Sequence, residues 1–242
     1  MLFITSILAN YRYATEDCVR ERSLKTVARV GAHSFLDDPM TIAQVQGIAN
    51  PEWMLEAHGL IQAEHAERCG ALHLLDGDDP RGFLVAYDTL DKPWLSEKLM
   101  LARIILATFQ KLSFKEFRIL TRNIRSHSKA LNLSWYKRMV KGRHYRMKVI
   151  AIDPMLRGTG AFRRLITPAL DYADRERIPA VLETHNPKNV GLYEHFGFEL
   201  VQTITSPETH ISQYCMIRKP QPQAMKVERF TVENRLKEVE GG

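Results

Sequence analysis

Residues 147–162 read M-K-V-I-A-I-D-P-M-L-R-G-T-G-A-F. Val149 to Ile152 form a short apolar run without helical spacing, and Pro154 cannot continue a ladder, so the stretch predicts a buried strand ending at Asp153. Gly158 and Gly160 follow at once. Glycine tolerates positive φ and lets backbone N–H groups approach an anion closely, and the unpaired amides of a helix opening after the turn favour negative charge. Strand, glycine turn and helix start together predict a site for a phosphate-bearing ligand. Arg157, Arg163 and Arg164 crowd that helix start, where the dipole selects Asp or Glu, and a bound phosphate would remove the conflict. An ordinary strand, turn and helix with exposed arginines is the competing reading of this segment taken alone.

Downstream, Phe162, Leu165, Ile166, Ala169, Leu170 and Ala173 recur at offsets 0, 3, 4, 7, 8 and 11, one face of a helix that must pack on a sheet. Pro168 inside it should cost about 3 kcal/mol unless a kink accommodates it. Pro179 to Thr184 reads as a second buried strand and Lys188 to Phe196 as a short helix closed by Gly197. Residues 198–205 and 210–217 read as a hairpin over S-P-E-T. Upstream, an extended piece at Arg12 precedes a helix capped by Thr15 and running through Val19, Leu24, Val27 and Val30. F-L-D-D-P at 35–39 then breaks the helical pattern. Pro51 to Cys69 predicts a helix, Gly82 to Asp88 a strand, and Trp94 to Leu112 a long apolar helix; Phe117 to Thr121 suits either a short strand or a helix start.

The 242 residues, 45% apolar and 26% charged, suffice to bury a sizeable core in a soluble globular protein. No apolar run reaches the roughly 18 residues needed to span a bilayer, and the opening L-F-I-T-S-I-L-A is short and lacks a positive flank, so neither membrane segment nor signal peptide is expected. Cys18, Cys69 and Cys215 are far apart and suit reduced thiols in a cytoplasmic setting. The net charge of +6 is local: between Phe117 and Ile152 stand ten Lys or Arg and no Asp or Glu. Arg118, Arg122, Arg125 and Lys129 would share a helix face open to water, a 3′-phosphate, an acidic protein or nucleic acid. Nucleic acid is the disfavoured partner, because no aromatic stacking motif interleaves the charges. His65, Cys69 and His73 fall at i, i+4 and i+8, but Gly70 interrupts the helix and closed zinc sites draw ligands from two elements, so no metal is expected.

Four pieces occur in order: R-Y-A-T-E-D at Arg12 to Asp17, F-L-D-D-P at 35–39, I-D-P-x-x-R-G-T-G at Ile152 to Gly160, and Asn189, Tyr193 and Gly197-Phe198 spaced along one helix and its exit. Together they resemble the GNAT superfamily of N-acetyltransferases. The resemblance implies a single α/β domain over 11–218, with an N-terminal appendage at 1–10 and a charged tail at 219–242. It also implies a mixed central sheet flanked by helices, in which the strand at about Arg146 to Asp153 splays from the next, about Ala180 to Thr184, so that acetyl-coenzyme A enters between them.

The family's pyrophosphate loop maps onto Arg157, Gly158, Thr159, Gly160, Ala161 and Phe162, the last standing where the family has a small residue. By the same resemblance, backbone groups of Ile150 and Ile152 pair with the pantetheine arm, and the Ile152 amide polarises the thioester carbonyl. Asn189 lies beside the pantetheine, and Tyr193 by the leaving sulfur as acid or hydrogen-bond donor. Glu183, at the end of the strand beside the splay, is the candidate base, with His185 and Asp153 behind it. The expected reaction is direct acetyl transfer to a primary amine of a small molecule or peptide, in a ternary complex. A catalytically silent acyl-CoA-binding module is the alternative. The acceptor's identity and the oligomeric state are not legible in the sequence.

Overall fold

The computed structural model describes residues 20–77, 79–91, 94–128 and 132–222. The motif at Arg12 to Asp17, the Thr15 cap, Cys18, Lys129 and the tail beyond 222 lie outside the described residues. Six strands form one open sheet in the order β1-β2-β3-β4-β6-β5. They are β1 (Leu72–Leu75), β2 (Gly82–Asp88), β3 (Tyr145–Ile152), β4 (Ala180–Thr184), β5 (Glu199–Thr205) and β6 (Ser212–Arg218). β3 and β4 run parallel and every other neighbouring pair is antiparallel.

Helices cover both faces. On one face, α6 (Ala161–Arg175) and α7 (Lys188–His195) bury Leu165, Ile166, Ala169, Leu170, Ala173 and Tyr193 against Leu84, Met147, Leu182 and Met216. This is the helical stripe that the periodicity after the glycine turn predicts. On the other face, α1 (20–35) and α3 (Pro51–Arg68) bring Leu24, Val27, Val30, Ala63 and Ala66 onto Phe83, Val85, Tyr87 and Ala151. Burial on both faces explains why Gly82 to Asp88 reads as continuous apolar sequence. Pro168 interrupts nothing: α6 runs through it, and the residue sits on the exposed side, where water can satisfy the carbonyl its missing N–H would have bonded.

Two elements escape the sequence pattern, and a third settles on one of its two readings. Pro39–Val45 forms a short helix, α2, whose N-cap Asp38 accepts from the Met40 and Thr41 amides, so part of F-L-D-D-P is a helix start. Leu72–Leu75 is too short to announce itself as an edge strand. Phe117 to Thr121 belongs to α5 (Phe114–His127), which follows α4 (Trp94–Lys111) and opens on a reciprocal capping box between Ser113 and Glu116.

Two features of β3 prepare the site. Val85 pairs with Val149 but Ala86 with Met147, so Lys148 is bulged out of the ladder. Before the bulge Tyr145 and Met147 face α6; after it Val149 and Ala151 face α1 and α3, leaving Ile150 and Ile152 on the α6 side. β3 then touches β4 through only two register pairs, Tyr145 with Ala180 and Arg146 with Val181, and the two strands diverge. The expected splay is present.

Candidate functional site

β3's bonding to β2 decides what faces the gap. The Asp153 amide donates to the Arg81 carbonyl at 2.8 Å. In an antiparallel ladder, bonded pairs alternate, so Ala151 and Val149 also bond toward β2, and the backbone groups of Ile150 and Ile152 point into the gap beside β4. The Ile152 carbonyl accepts from Ser34 Oγ at 2.7 Å, which ties the C-terminal end of α1 to this open edge.

At the end of β3 the chain turns through a single helical turn at Pro154–Leu156 and reaches Gly158 and Gly160 with φ of 79° and 81°. Both values lie in the left-handed region that favours glycine. Gly160 is the N-cap of α6 and supplies no side-chain cap, so the first amides of the helix lack partners from the helix itself and face outward with its positive dipole end. The turn therefore has the backbone conformation and the unmet donors of an anion cradle.

The cradle opens on a cleft of about 630 Å³ lined by Ile150, Ile152, Arg157, Gly158, Gly160, Phe162, Asn189 and Tyr193, with Ser34, Asp37 and Asp38 across from them. A larger groove, about 1060 Å³, lies between α1, α3 and α4, but it contains neither the splayed strand edge nor the glycine turn. Phe162 is half-buried, with its ring centroid 5.9 Å from Tyr193 and 5.3 Å from Phe196. It both packs on the core and forms part of the cleft wall. Asn189 donates to Thr184 Oγ1 at 3.3 Å, bridging α7 to the end of β4. Tyr193 is buried, its ring is 5.9 Å from Phe198, and burial pushes its phenol pKa far above the ordinary value. No described group hydrogen-bonds its hydroxyl. It therefore stays protonated at neutral pH and keeps its donor for whatever enters.

The carboxylates named from sequence sit elsewhere. Alternation along β4 sends Ala180 and Leu182 toward α6, and Val181 and Glu183 to the opposite face, against Trp135. There Glu183 accepts from Arg146 at 3.0 Å and from the Trp135 indole at 2.9 Å, and it is absent from the cleft lining. Asp153 is held below the usual carboxylate range by Arg81, 2.8 Å away, and by the Met155 amide. It fixes the turn. His73 lies on β1, apart from His65 and Cys69, and meets the Tyr145 hydroxyl at 3.0 Å.

The basic run is likewise divided. Arg143 pairs with Asp88 and Glu176, Arg146 with Glu183, and Lys148 with Glu97, leaving Arg118, Arg122 and Arg125 exposed on α5. Sequence reasoning placed Arg163 at the helix start but missed Ser34, Asp37 and His195, and all four line the cleft. Asp37 accepts from Arg157 at 2.9 Å and Arg163 donates to His195 Nε2 at 2.8 Å. The acidic pair in F-L-D-D-P was the available signal for Asp37.

A mixed sheet that splays beside a glycine turn, with a second helix flanking the opening, is the arrangement that the resemblance to the GNAT superfamily implies. Residues 122–198 match the family model described as the acetyltransferase (GNAT) family. Over 77 residues the chain is 32% identical to an uncharacterized N-acetyltransferase of Schizosaccharomyces pombe, covering 31% of each chain. Over 57 residues it is 39% identical to an uncharacterized protein of Mycobacterium leprae, covering 24% of this chain and 16% of that one. The chain thus spans a third or less of the curated relatives it matches. Among solved structures, a protein of Corynebacterium glutamicum described as histone acetyltransferase HPA2 and related acetyltransferase superposes with a TM-score of 0.55 at 16% identity, over 84% of this chain and 93% of that one. Arylalkylamine N-acetyltransferase 2 of Aedes aegypti gives 0.52 at 16% identity, over 82% and 94%. Residues 122–198 thus match the GNAT acetyltransferase family model, and the fold is the one these solved acetyltransferases share.

Proposed function

We propose that the protein transfers the acetyl group of acetyl-coenzyme A directly to a primary amine. The observation that carries this reading is the convergence, in one cleft, of the β3 edge at Ile150 and Ile152 that β4 leaves unpaired, the glycine turn, Asn189 and the unengaged Tyr193 hydroxyl. The amides of Gly158, Gly160, Ala161 and Phe162 would take the pyrophosphate, with Thr159, whose own amide donates to the Leu156 carbonyl at 3.3 Å, between the glycines, and the open edge of β3 would pair with the amides of the pantetheine arm as an added strand. Acetyl-coenzyme A supplies an activated thioester; the chain supplies position and electrostatics. The Ile152 amide, pointing into the gap, would donate to the thioester oxygen as charge builds on it.

Proton handling follows from pKa values. Moving a proton from an ordinary tyrosine to a thiolate is uphill by about 2 kcal/mol, and burial of Tyr193 raises that cost. Tyr193 therefore acts by hydrogen-bond donation to the developing thiolate, not by completed transfer. The attacking amine must be neutral, which costs about 4 kcal/mol at pH 7 for an alkylamine. Glu183, our candidate base, would receive that proton on the face of β4 opposite Tyr193, with the Arg146 and Trp135 hydrogen bonds yielding as it does so.

The catalytically silent acyl-CoA-binding reading is favoured by one specific observation, the commitment of both Glu183 oxygens to Arg146 and Trp135. Free-thiol release from acetyl-coenzyme A across a panel of arylalkylamines, polyamines and peptide N-termini separates the two. Amine-dependent thiol release lost in Tyr193→Phe supports transfer. Tight coenzyme A binding without turnover on any amine supports the silent module.

A further inference from the structure

Helix α4 is turned inside out. Its polar side chains face the protein: Glu97 accepts from Lys148 at 2.7 Å, Arg103 donates to Glu64 at 2.7 Å, and Thr108 meets His58 Nε2 at 2.8 Å. Its outward face carries Leu99, Leu101, Ile105, Leu106 and Phe109, each 54–65% exposed. An amphipathic helix on a water-facing surface has the opposite arrangement. Together the five side chains expose on the order of 500 Å², a size at which an apolar patch is commonly a binding surface.

This apolar row runs into the basic stripe of α5. Phe109 stacks on Phe117, with ring centroids 4.1 Å apart. Phe114, Arg118, Arg122 and Arg125 recur at offsets 0, 4, 8 and 11, so they share one face of α5 beside Phe117, and all four are exposed. From Trp94 to Ser128 the chain has seven Lys or Arg against two Glu, and both acids are engaged, Glu97 by Lys148 and Glu116 in the capping box with Ser113.

We propose that α4 and α5 dock the protein on an anionic lipid surface, with the row from Leu99 to Phe109 set among the acyl chains and the α5 arginines on the headgroups. The helices lie on the membrane and do not cross it; no helix among the described residues is long and apolar enough to span one. Charge and shape select this occupant. A second copy of the chain would bring the same cations to both sides of the contact, and like charges facing each other oppose assembly. Nucleic acid would take the arginines but leave the aliphatic row in water. A folded acidic protein anchors its own side chains in pockets, and neither of the two large cavities is lined by any of the five residues. Hydrocarbon fits protruding side chains of any shape, and an anionic headgroup layer attracts each Lys or Arg beside it.

Co-sedimentation of the full-length protein with phosphatidylcholine vesicles, with and without phosphatidylserine, tests it. The wild type is expected to bind the phosphatidylserine-containing vesicles about tenfold or more tighter than pure phosphatidylcholine, a comparison that needs no variant. Two triple variants at exposed positions then separate the contributions. Arg118→Gln with Arg122→Gln and Arg125→Gln should weaken binding about 100-fold, and Leu101→Gln with Ile105→Gln and Leu106→Gln at least about tenfold. A wild type that ignores phosphatidylserine, or an apolar variant that binds as tightly as the wild type, overturns the proposal, the second because a basic surface is then merely adsorbing. Without vesicle binding, a dimer in light scattering that the apolar variant dissociates assigns the face to a second copy, and salt-dependent RNA binding lost in the arginine variant assigns it to nucleic acid; either result overturns the lipid reading.

Discussion

Replacing Asp37 with Asn should tighten coenzyme A binding. In the structure Asp37 holds Arg157, the arginine that precedes the glycine turn, at 2.9 Å, with their side chains 61% and 53% exposed. A phosphate recruiting that arginine has to displace the carboxylate. Exposed ion pairs of this kind contribute about 0.2–1 kcal/mol. Removing the competitor should therefore strengthen binding by about 1.4- to fivefold, with the gain shrinking as added salt screens the pair. Asp38 is the wrong residue for the test, because its carboxylate caps α2 through the Met40 and Thr41 amides. The assay is calorimetric titration of coenzyme A against the wild type, Asp37→Asn, Arg157→Ala and the double variant, at low and high ionic strength. The cycle isolates the contact from general charge repulsion: in the Arg157→Ala background the Asp37→Asn gain should largely vanish. An Asp37→Asn protein that binds no tighter, or gains equally without Arg157, would refute the competition argument.

Tyr193→Phe removes a hydroxyl that no described group engages, so thermal stability and coenzyme A affinity should change little while kcat on an accepted amine falls about 10- to 100-fold. Gly160→Ala puts a Cβ where nothing lies within 4 Å but forces φ +81° on an L-residue, costing about 1–2 kcal/mol; a drop in coenzyme A affinity beyond what the melting shift explains would mark close backbone approach by phosphate. Glu183→Gln leaves Arg146 buried with a neutral partner and should lower stability on the order of 3 kcal/mol by chemical denaturation, with the pH dependence of kcat telling whether it also serves as base. Burial alone would raise the Asp88 and Asp174 carboxyls, but Arg143 with the Leu90 amide, and Arg218 with the Gln221 amide, bring both below the ordinary range. Depressed folded-state values mean stability that is present above about pH 4 and lost as pH falls through the folded values, so the melting temperature should drop steeply below pH 4, and less steeply in Asp174→Asn.

The sequence by itself determined the parts governed by local rules. An apolar run that stops at Pro154, glycines at 158 and 160 that alone settle readily at positive φ, and the stripe from Phe162 to Ala173 specify β3, the turn and α6 without reference to the rest of the chain. Asn189 and Tyr193, four apart on one helix, were bound to face the same way. Tertiary structure decided what depends on pairing. Whether β3 and β4 part after Arg146 is set by which backbone groups find partners, and the Lys148 bulge that swaps the faces of β3 has no signature in the residue types around it. The same holds for the charges. Arg146, Lys148, Arg157 and Glu183 read alike as ionisable residues near a motif, and only the approach of Glu97, Asp37 and Trp135 from distant segments separates those that hold the fold together from those left to meet a ligand. An ion pair needs proximity in space, and a sequence records proximity only along the chain.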